Sequence, residues 1–247
     1  MYFNKKLLPE IVLVNTQLPE NLGATARCML NFNFERLRLI NPKFSLDNEK
    51  IIPVCAGADK VVKKIKVFEK FSDSIKDFNY VIATSNRVRS QKKNEISFQK
   101  LKEIISKNYK VAIVFGPEKS GLDNEDLSLC DYTIKINSNQ KFSSLNLSHA
   151  VAIVCYNLYT LLLKKGESNK EKLIENVAKK NELLSFYKIL EETLDSSNFF
   201  NVKERKKITF QKIKNIFCKY KMSSEEVRTL ISIFKKIRWF KCQLELT

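Results

Sequence analysis

The sequence predicts an α/β fold in which a mostly parallel sheet carries helices on both faces and is followed by a small helical extension. Short β-branched runs alternate with helical segments from residue 10 to residue 163, the usual pattern of parallel strands joined by crossover helices. From residue 183 onward, apolar residues recur only at helical spacing. The expected organisation is an α/β domain at 1–164, a linker at 165–171 and a helical extension at 172–247.

Strands in the first half are expected where β-branched and aromatic residues cluster between polar turns. These runs lie at 10–15, 36–40 and 80–84, with a weaker one at 66–68. Helices between them are predicted at 22–32, 47–58 and 98–106. Pro19 and Asn21 are start signals for the first of these helices.

The stretch from residue 111 to residue 154 predicts a binding crevice. It is expected to form a buried strand at 111–115, a polar loop at 116–121, a short helix opened by Asp123, a strand at 132–136, and a long apolar helix beginning near Asn146. Two loops thus leave neighbouring strand ends and lead into helix N-termini. Open α/β folds bind their ligands at such places.

Glycine usage supports the same interpretation. The chain has only five glycines, and four of them fall in predicted loops or at helix starts: Gly23, Gly57, Gly116 and Gly121. Such positions favour a positive φ or a close approach of the backbone to a ligand. Ordinary turn glycines are the alternative.

The formal net charge of +17 indicates a polyanionic partner. Nucleic acid is favoured over an anionic membrane, because no apolar run approaches the roughly 18 residues of a membrane span and no signal peptide opens the chain. The six cysteines are never closer than 24 residues, which predicts free thiols in a reducing cytoplasm. His149 is the single histidine, so no metal site is expected.

Three arginines are candidates for contacts with the backbone of a nucleic acid. Arg27 lies four residues after Gly23, where its side chain would lean over the glycine toward the helix N-terminus, a favourable place for a phosphate. A solvated surface arginine is the alternative. Arg87 and Arg89 follow the strand that ends at Thr84 and are expected to form a further wall of the crevice, unless they belong to a simple polar turn.

The helix expected at 146–163 is apolar nearly all round, which predicts a homodimer because one sheet face does not cover such a helix. In the extension, one predicted apolar stripe consists of Leu230, Ile233, Phe234 and Ile237. Residues 196–241 contain thirteen Lys or Arg against three Glu, a net charge of +10. This charge predicts an RNA-docking element, with a solvated tail that supports the dimer as the alternative. The candidate RNA-binding lysines are Lys206, Lys207, Lys212 and Lys214.

Three motifs together resemble the SPOUT superfamily, specifically its TrmH-like ribose methyltransferases. They are NLGATAR at 21–27, VFGPEKSGL at 114–122 and SSLNLSHAV at 143–151. The resemblance covers roughly residues 10–163, and the helical tail is similar to that of the TrmJ subgroup, which methylates the ribose of nucleotide 32 in the tRNA anticodon loop. The resemblance, and not the periodicity, implies that the C-terminal part of the α/β domain is threaded into a trefoil knot.

The resemblance also implies a cofactor, S-adenosyl-L-methionine, and the residues that bind it. The implied cofactor-binding residues are Thr84, Ser85, Asn86, Gly116, Ile136, Ser143, Ser144 and Leu145. The implied catalytic set is Asn21, Arg27, Glu118, Ser144 and Asn146. Pro117 and Asn86 depart from the residues that are frequent in the subgroup, arginine and alanine respectively, which puts one RNA contact and one cofactor contact in doubt.

The implied roles fit the residue types. Methyl transfer from a sulfonium needs positioning and removal of a proton from a ribose hydroxyl, and it needs no metal. Arg27 is either the base or, because guanidinium stays protonated, a phosphate-binding group that polarises the hydroxyl. Glu118 is expected to orient Arg27 or the ribose, and Asn146 to fix its loop at the helix start.

The resulting hypothesis is a homodimeric, cytoplasmic tRNA ribose 2′-O-methyltransferase acting at nucleotide 32. The same chemistry at another tRNA or rRNA ribose is one alternative, and a non-catalytic RNA-binding protein of the same fold is another. A nucleotide-dependent oxidoreductase is disfavoured, because no GxGxxG motif follows the first strand.

Overall fold

The computed structural model describes residues 8–85, 93–163, 176–200, 203–219 and 221–244. The chain divides into two compact units, Met1–Lys170 and Glu171–Thr247. The linker expected at 165–171 lies outside the described residues, as do Asn86, Arg87 and Arg89. The domain boundaries therefore stay a prediction.

The first unit contains a six-stranded sheet with the order β3-β2-β1-β5-β4-β6, in which every described strand pair is parallel. The central strands β1, β5 and β4 are almost entirely buried, as expected for β-branched runs covered on both sides. The strands are β1 (Glu10–Val14), β2 (Leu37–Ile40), β3 (Lys66–Phe68), β4 (Tyr80–Thr84), β5 (Val111–Phe115) and β6 (Tyr132–Ile134).

The direction of each crossover determines the face on which its helix lies, because parallel connections are right-handed. Three of the connections run in one direction along the sheet, namely β1 to β2, β2 to β3 and β4 to β5. Their helices α1, α2, α3 and α5 therefore share a face. The moves from β3 to β4 and from β5 to β6 run the other way and place α4 and α6 on the opposite face. Helix contacts agree, since α1 and α5 both pack on α7, and α4 packs on α6. The helices are α1 (Pro19–Asn31), α2 (Ile51–Cys55), α3 (Asp59–Val62), α4 (Phe71–Ser74), α5 (Phe98–Ser106), α6 (Asn124–Leu129) and α7 (Leu147–Leu163).

The α/β architecture, the parallel sheet and the helices on both faces confirm the predicted fold class. Several predicted boundaries were wrong, and the first helix begins at Pro19 rather than at residue 22. The helix expected at 47–58 is helical only over α2, because Ala56 and Gly57 adopt positive φ values of 43° and 87° that end it, and α3 begins beyond the predicted range, at Asp59. The strand expected at 132–136 ends at Ile134. The trefoil knot stays a prediction.

The second unit packs three helices around an aromatic core. Phe186 is fully buried, and its ring lies 4.9 Å from the ring of Phe217 and 5.8 Å from that of Phe234. Of the predicted stripe on the last helix, Leu230 and Phe234 pack on the core, whereas Ile233 and Ile237 are 48% and 49% exposed. The helices are α8 (Lys180–Ser196), α9 (Lys203–Cys218) and α10 (Ser224–Leu244).

Among the described helices, none is long and apolar enough to cross a bilayer. The residues that the structure describes include no group of three or more His, Cys, Asp or Glu that could hold a metal ion. The cysteines whose side chains are described are free thiols.

Candidate active site

The candidate site lies at the carboxyl ends of β4, β5 and β6. Strand β5 is followed by a helix on one face of the sheet, whereas its neighbours β1 and β4 are followed by helices on the other face. The chain therefore leaves a crevice at the end of β5, which is the usual ligand position in open parallel sheets. The end of β4 is fixed to both neighbours, because Thr84 Oγ1 donates to the carbonyl of Val114 at 3.0 Å and Ser85 N donates to that of Ile134 at 3.2 Å.

The crevice contains a cavity of about 320 Å³, a size suited to a small organic ligand. Of the eight residues predicted to bind the cofactor, the seven that the structure describes all line this cavity: Thr84, Ser85, Gly116, Ile136, Ser143, Ser144 and Leu145. Apolar side chains from the segment after β5 and from α7 complete the wall, namely Leu122, Leu127 and Leu147. None of these three was predicted from the sequence, although Leu122 and Leu147 lie within the quoted motifs.

Gly116 is required by the loop itself. A Cβ atom on this residue would lie 2.2 Å from the Leu122 amide nitrogen and 2.5 Å from the Gly121 carbonyl carbon. The loop is closed by a hydrogen bond from Gly121 N to the Pro117 carbonyl at 2.8 Å. The close approach expected at Gly116 thus exists, but in this structure the approaching group is the far end of the same loop.

Gly23 has a packing role that differs from the prediction. A Cβ atom there would lie 2.4 Å from the Ile51 carbonyl oxygen, so the glycine allows α1 to pack against α2. Gly23 is buried in this contact. The expected position of the Arg27 side chain near the helix N-terminus stays a prediction.

Three predicted catalytic residues from distant parts of the sequence form one hydrogen-bonded chain. Asn146 Nδ2 donates to Asn21 Oδ1 at 2.9 Å, and Asn21 Nδ2 donates to Glu118 Oε1 at 2.7 Å. The other oxygen of Glu118 accepts the backbone N–H of Gln17 at 3.3 Å. Glu118 also lines the cavity, so the chain ends at the cavity wall.

The direction of every hydrogen bond in this chain is fixed. Asn146 Oδ1 accepts the backbone N–H of Ser148 at 2.9 Å and its hydroxyl at 2.7 Å, so Oδ1 is the acceptor that caps α7. The amide nitrogen of Asn146 must then donate to Asn21, which leaves the Asn21 nitrogen to donate to the carboxylate. Asn146 does lie at the helix start, as expected from the sequence.

Arg27 and Ser144 do not belong to this chain. Arg27 is exposed on α1, and among the residues that the structure describes its guanidinium makes no hydrogen bond or ion pair. Glu118 therefore holds Asn21 rather than Arg27, contrary to one of the two expected roles. Ser144 is exposed at the lip of the cavity. The contribution of Gln17 comes from its backbone, so no side-chain signal in the sequence could have revealed it.

An unusual carboxyl group lies at the start of α6, next to the cavity-lining Leu127. Burial, together with the negative charges of Asp123 and Glu125, raises the pKa of Asp126 to about 7. Asp123 caps this helix by accepting the Asp126 N–H at 2.8 Å. The charge of Asp126 therefore changes near neutral pH.

The four lysines predicted to bind RNA differ in their surroundings. Lys206 Nζ lies 2.6 Å from Asp195 and 3.2 Å from Glu191, and the hydrogen bond to Asp195 is the largest cause of its raised pKa. Lys214 Nζ lies 5.0 Å from the centre of the Phe210 ring. Lys207 and Lys212 are exposed. These contacts leave Lys206 less available for a phosphate than Lys212.

Fold and site together define an α/β protein with a small-molecule cavity at the switch point of a parallel sheet. Residues 9–156 match the model of the SpoU rRNA Methylase family. The chain belongs to this family, which agrees with the resemblance drawn from the three motifs.

Individual relatives extend the similarity into the second unit. The chain is 32% identical over 240 residues to a tRNA (cytidine-2′-O-)-methyltransferase TrmJ of Methanocaldococcus jannaschii, covering 93% of this chain and 99% of the relative. It is 30% identical to a tRNA (cytidine/uridine-2′-O-)-methyltransferase TrmJ of Yersinia pestis, covering 92% of this chain and 90% of the relative. The crystal structure of TrmJ from Z. mobilis ZM4 superposes with a TM-score of 0.83 at 32% identity, covering 93% of this chain and 99% of that one.

Proposed function

We propose that this protein methylates the 2′-hydroxyl of a tRNA ribose at nucleotide 32 of the anticodon loop, using S-adenosyl-L-methionine. One observation carries the proposal: the cavity at the end of β5 is lined both by the seven described cofactor residues and by Glu118 of the hydrogen-bonded chain. The two relatives are named as tRNA 2′-O-methyltransferases, and the chain matches each of them over 90% or more of its length, which supports tRNA as the substrate.

The cavity fits the proposed cofactor in size and in the character of its wall. Thr84, Ser85 and Ser143 supply polar groups, whereas Leu122 and Leu127 supply an apolar surface. When bound, S-adenosylmethionine supplies a methyl group activated by a positively charged sulfur. The loop closed between Pro117 and Gly121, and the 143–145 segment, would hold it in place.

The remaining residues position the ribose and assist proton loss. Glu118 lines the cavity and accepts a hydrogen bond from the Asn21 amide, so its carboxylate is fixed before substrate arrives, which lowers the cost of orienting a hydroxyl there. Arg27 is exposed and has no partner among the described residues, so its guanidinium can bind an RNA phosphate and polarise the 2′-hydroxyl. The proton then leaves to phosphate or water.

We further propose that the enzyme is a homodimer that works in the cytoplasm. Tyr156 and Leu163 of α7 are 55% and 40% exposed, and the ring of Phe32 lies 5.8 Å from that of Tyr156. Such exposed apolar side chains on a helix whose other side is buried in the core support a self-complementary interface. The free thiols support a reducing compartment.

The proposal is tested by incubating the protein with radiolabelled S-adenosylmethionine and an unmodified tRNA transcript. A matched transcript carries a 2′-deoxy nucleotide at position 32 and so lacks only the proposed acceptor oxygen. We expect label in the first transcript and none in the second. Equal labelling of both would assign the chemistry to another ribose, and no labelling of total tRNA would favour a non-catalytic RNA-binding protein.

The base at nucleotide 32 is a separate question, because the two relatives are named for cytidine and for cytidine or uridine. Transcripts that differ only in C32 or U32 answer it. Comparable rates on both would assign dual acceptance to this protein, and a rate at least about 100-fold lower on one of them would indicate that the site reads the base edge.

A further inference from the structure

The exposed side of α10 near its end carries two aromatic rings and a lysine in contact. Lys236 Nζ lies 4.0 Å from the centre of the Trp239 ring and 4.8 Å from that of Phe240. The two rings lie 5.1 Å apart in an edge-to-face arrangement. Trp239 is 50% exposed and Phe240 is 54% exposed. We call Lys236, Trp239 and Phe240 the aromatic–basic face.

This face is not part of the helical core. Helix α10 packs on the core through Val227, Leu230 and Phe234. By helical rotation, Lys236, Trp239 and Phe240 project from the opposite side of the helix. An exposed tryptophan and phenylalanine that contribute nothing to the core are costly to leave in water, so they point to a binding role.

The charge around these rings favours a polyanion as the occupant. After Glu226, the sequence of α10 contains four Lys or Arg through Phe240 and no acidic residue. Neither Lys235 nor Lys236 pairs with a carboxylate within the part of the chain that the structure describes. Arg238, by contrast, forms an ion pair with Glu192 of α8, which links the end of α10 to α8 within the same unit.

We propose that the aromatic–basic face stacks unpaired bases of the RNA, and this inference rests on the proposed tRNA substrate. Aromatic rings stack on any exposed base, and lysines beside them neutralise the adjoining phosphates. A double helix offers no free base face, so the surface selects loops or ends over stems. The occupant is therefore a single-stranded segment of the tRNA, such as its anticodon loop.

The chain offers a direct probe, because Trp239 is its only tryptophan. The intact protein is titrated, without cofactor, with an anticodon stem-loop RNA and with a blunt RNA duplex of equal length. We expect the stem-loop to quench tryptophan emission and to shield it from iodide, and the duplex to do neither. Quenching by both RNAs alike, or by neither, would overturn the inference.

Three variants separate stacking from general effects, with fluorescein-labelled stem-loop anisotropy as the readout. Trp239→Ala should weaken binding about 10-fold, whereas Trp239→Phe keeps a ring and should stay within about twofold of wild type. Phe199→Ala removes a comparably exposed ring, 52% exposed, from the same unit and should leave affinity unchanged. Circular dichroism verifies that each variant is folded. Equal affinity of Trp239→Ala and wild type would refute the stacking role.

A membrane surface is the competing occupant of a basic and aromatic helix. A blue shift of the emission with phosphatidylglycerol vesicles, combined with no response to stem-loop RNA, would assign the face to lipid and overturn the inference. These binding measurements need no turnover. If the protein methylates tRNA but the emission of Trp239 does not respond to the stem-loop, the stacking site alone is refuted. If the stem-loop quenches the emission but no tRNA is methylated, the proposed function alone is refuted.

Discussion

The two units hold their polar groups in different ways. In the α/β unit, Asn146, Asn21 and Glu118 fix one another at hydrogen-bond distances of 2.7 to 2.9 Å. In the helical unit, Lys212 lies on an exposed helix surface and carries its charge at the end of a long side chain. Fixed groups lower the cost of reaching a reactive geometry, and mobile charges supply attraction without geometry. Substitutions of the catalytic groups in the first unit should therefore change turnover, and substitutions of lysines in the second unit should change the affinity for tRNA.

The largest effect is expected from Arg27→Lys. Lysine keeps the charge but loses the planar fork, so turnover at saturating tRNA should fall at least about 100-fold while tRNA affinity changes little. The thermal midpoint should not move, because Arg27 is exposed and makes no hydrogen bond to the described residues. Arg228→Lys, an exposed arginine on α10, is the matched control. Normal turnover in Arg27→Lys would remove this residue from the reaction.

A second large effect is expected from Gly116→Val. Its Cβ atom would collide with the Leu122 and Gly121 backbone, so the loop must open and the cavity wall must shift. Cofactor affinity measured by calorimetry should fall about 100-fold or more. Ser120→Val places the same side chain at an exposed position of the same loop and should keep affinity within a few-fold. Equal affinities in the two variants would exclude the loop from cofactor binding.

A smaller effect should distinguish lysines within the helical unit. Lys212→Gln removes an exposed charge and should reduce the slope of log affinity against log salt by up to about 0.9. Lys206→Gln should change the slope less, because Asp195 and Glu191 already neutralise that charge. Turnover at saturating tRNA should survive in both. If neutralising Lys206, Lys207, Lys212 and Lys214 together leaves affinity and slope unchanged, α9 is not the docking surface.

The smallest effect concerns stability and pH. The pKa of Asp126 is raised to about 7 in the folded protein from an ordinary value of 3.8, so folding takes up a proton between these values. The stabilisation by Asp126 is complete below about pH 4 and is lost as the pH rises through 7. Asp126→Asn should therefore be more stable than wild type at pH 8 by about 1 kcal/mol, after allowance for partial exposure, and the difference should vanish near pH 4. Urea unfolding across this range measures it, with Asp47→Asn as the exposed control.

The sequence predicted the parts of the fold that depend on local pattern. The five residues of β5, Val111–Phe115, are all buried, and a run of that kind has few other conformations available. The end of α2 was missed because a left-handed Ala56 is not visible in the residue type. The different exposure of residues within the stripe on α10, where Ile233 and Ile237 are about half exposed, was not predictable, because periodicity identifies an apolar side of a helix without showing what covers it.

The residues of the candidate site that belong to recognisable motifs were predictable from the sequence. Contacts that depend only on the backbone or on packing were not. Asn21, Glu118 and Asn146 came from three separate motifs, and the fold joins them directly. The contact of Gln17 uses its backbone N–H, and the cover on Gly23 comes from α2, which no motif includes. Arg27 is exposed, which leaves open both positions considered from the sequence, beside the helix N-terminus and on the solvated surface.

The long separation between bonded partners determines when the site can form during synthesis. Asn21 and Glu118 are 97 residues apart, and Asn21 and Asn146 are 125 apart. Strand β1 can pair with β2 early, but its other edge stays open until β5 has left the ribosome. An open edge of a buried strand readily pairs with other chains, so nascent chains that stop before residue 115 are exposed to aggregation. A stalled or truncated product therefore has neither a complete sheet nor a site, and it is a natural client for chaperones.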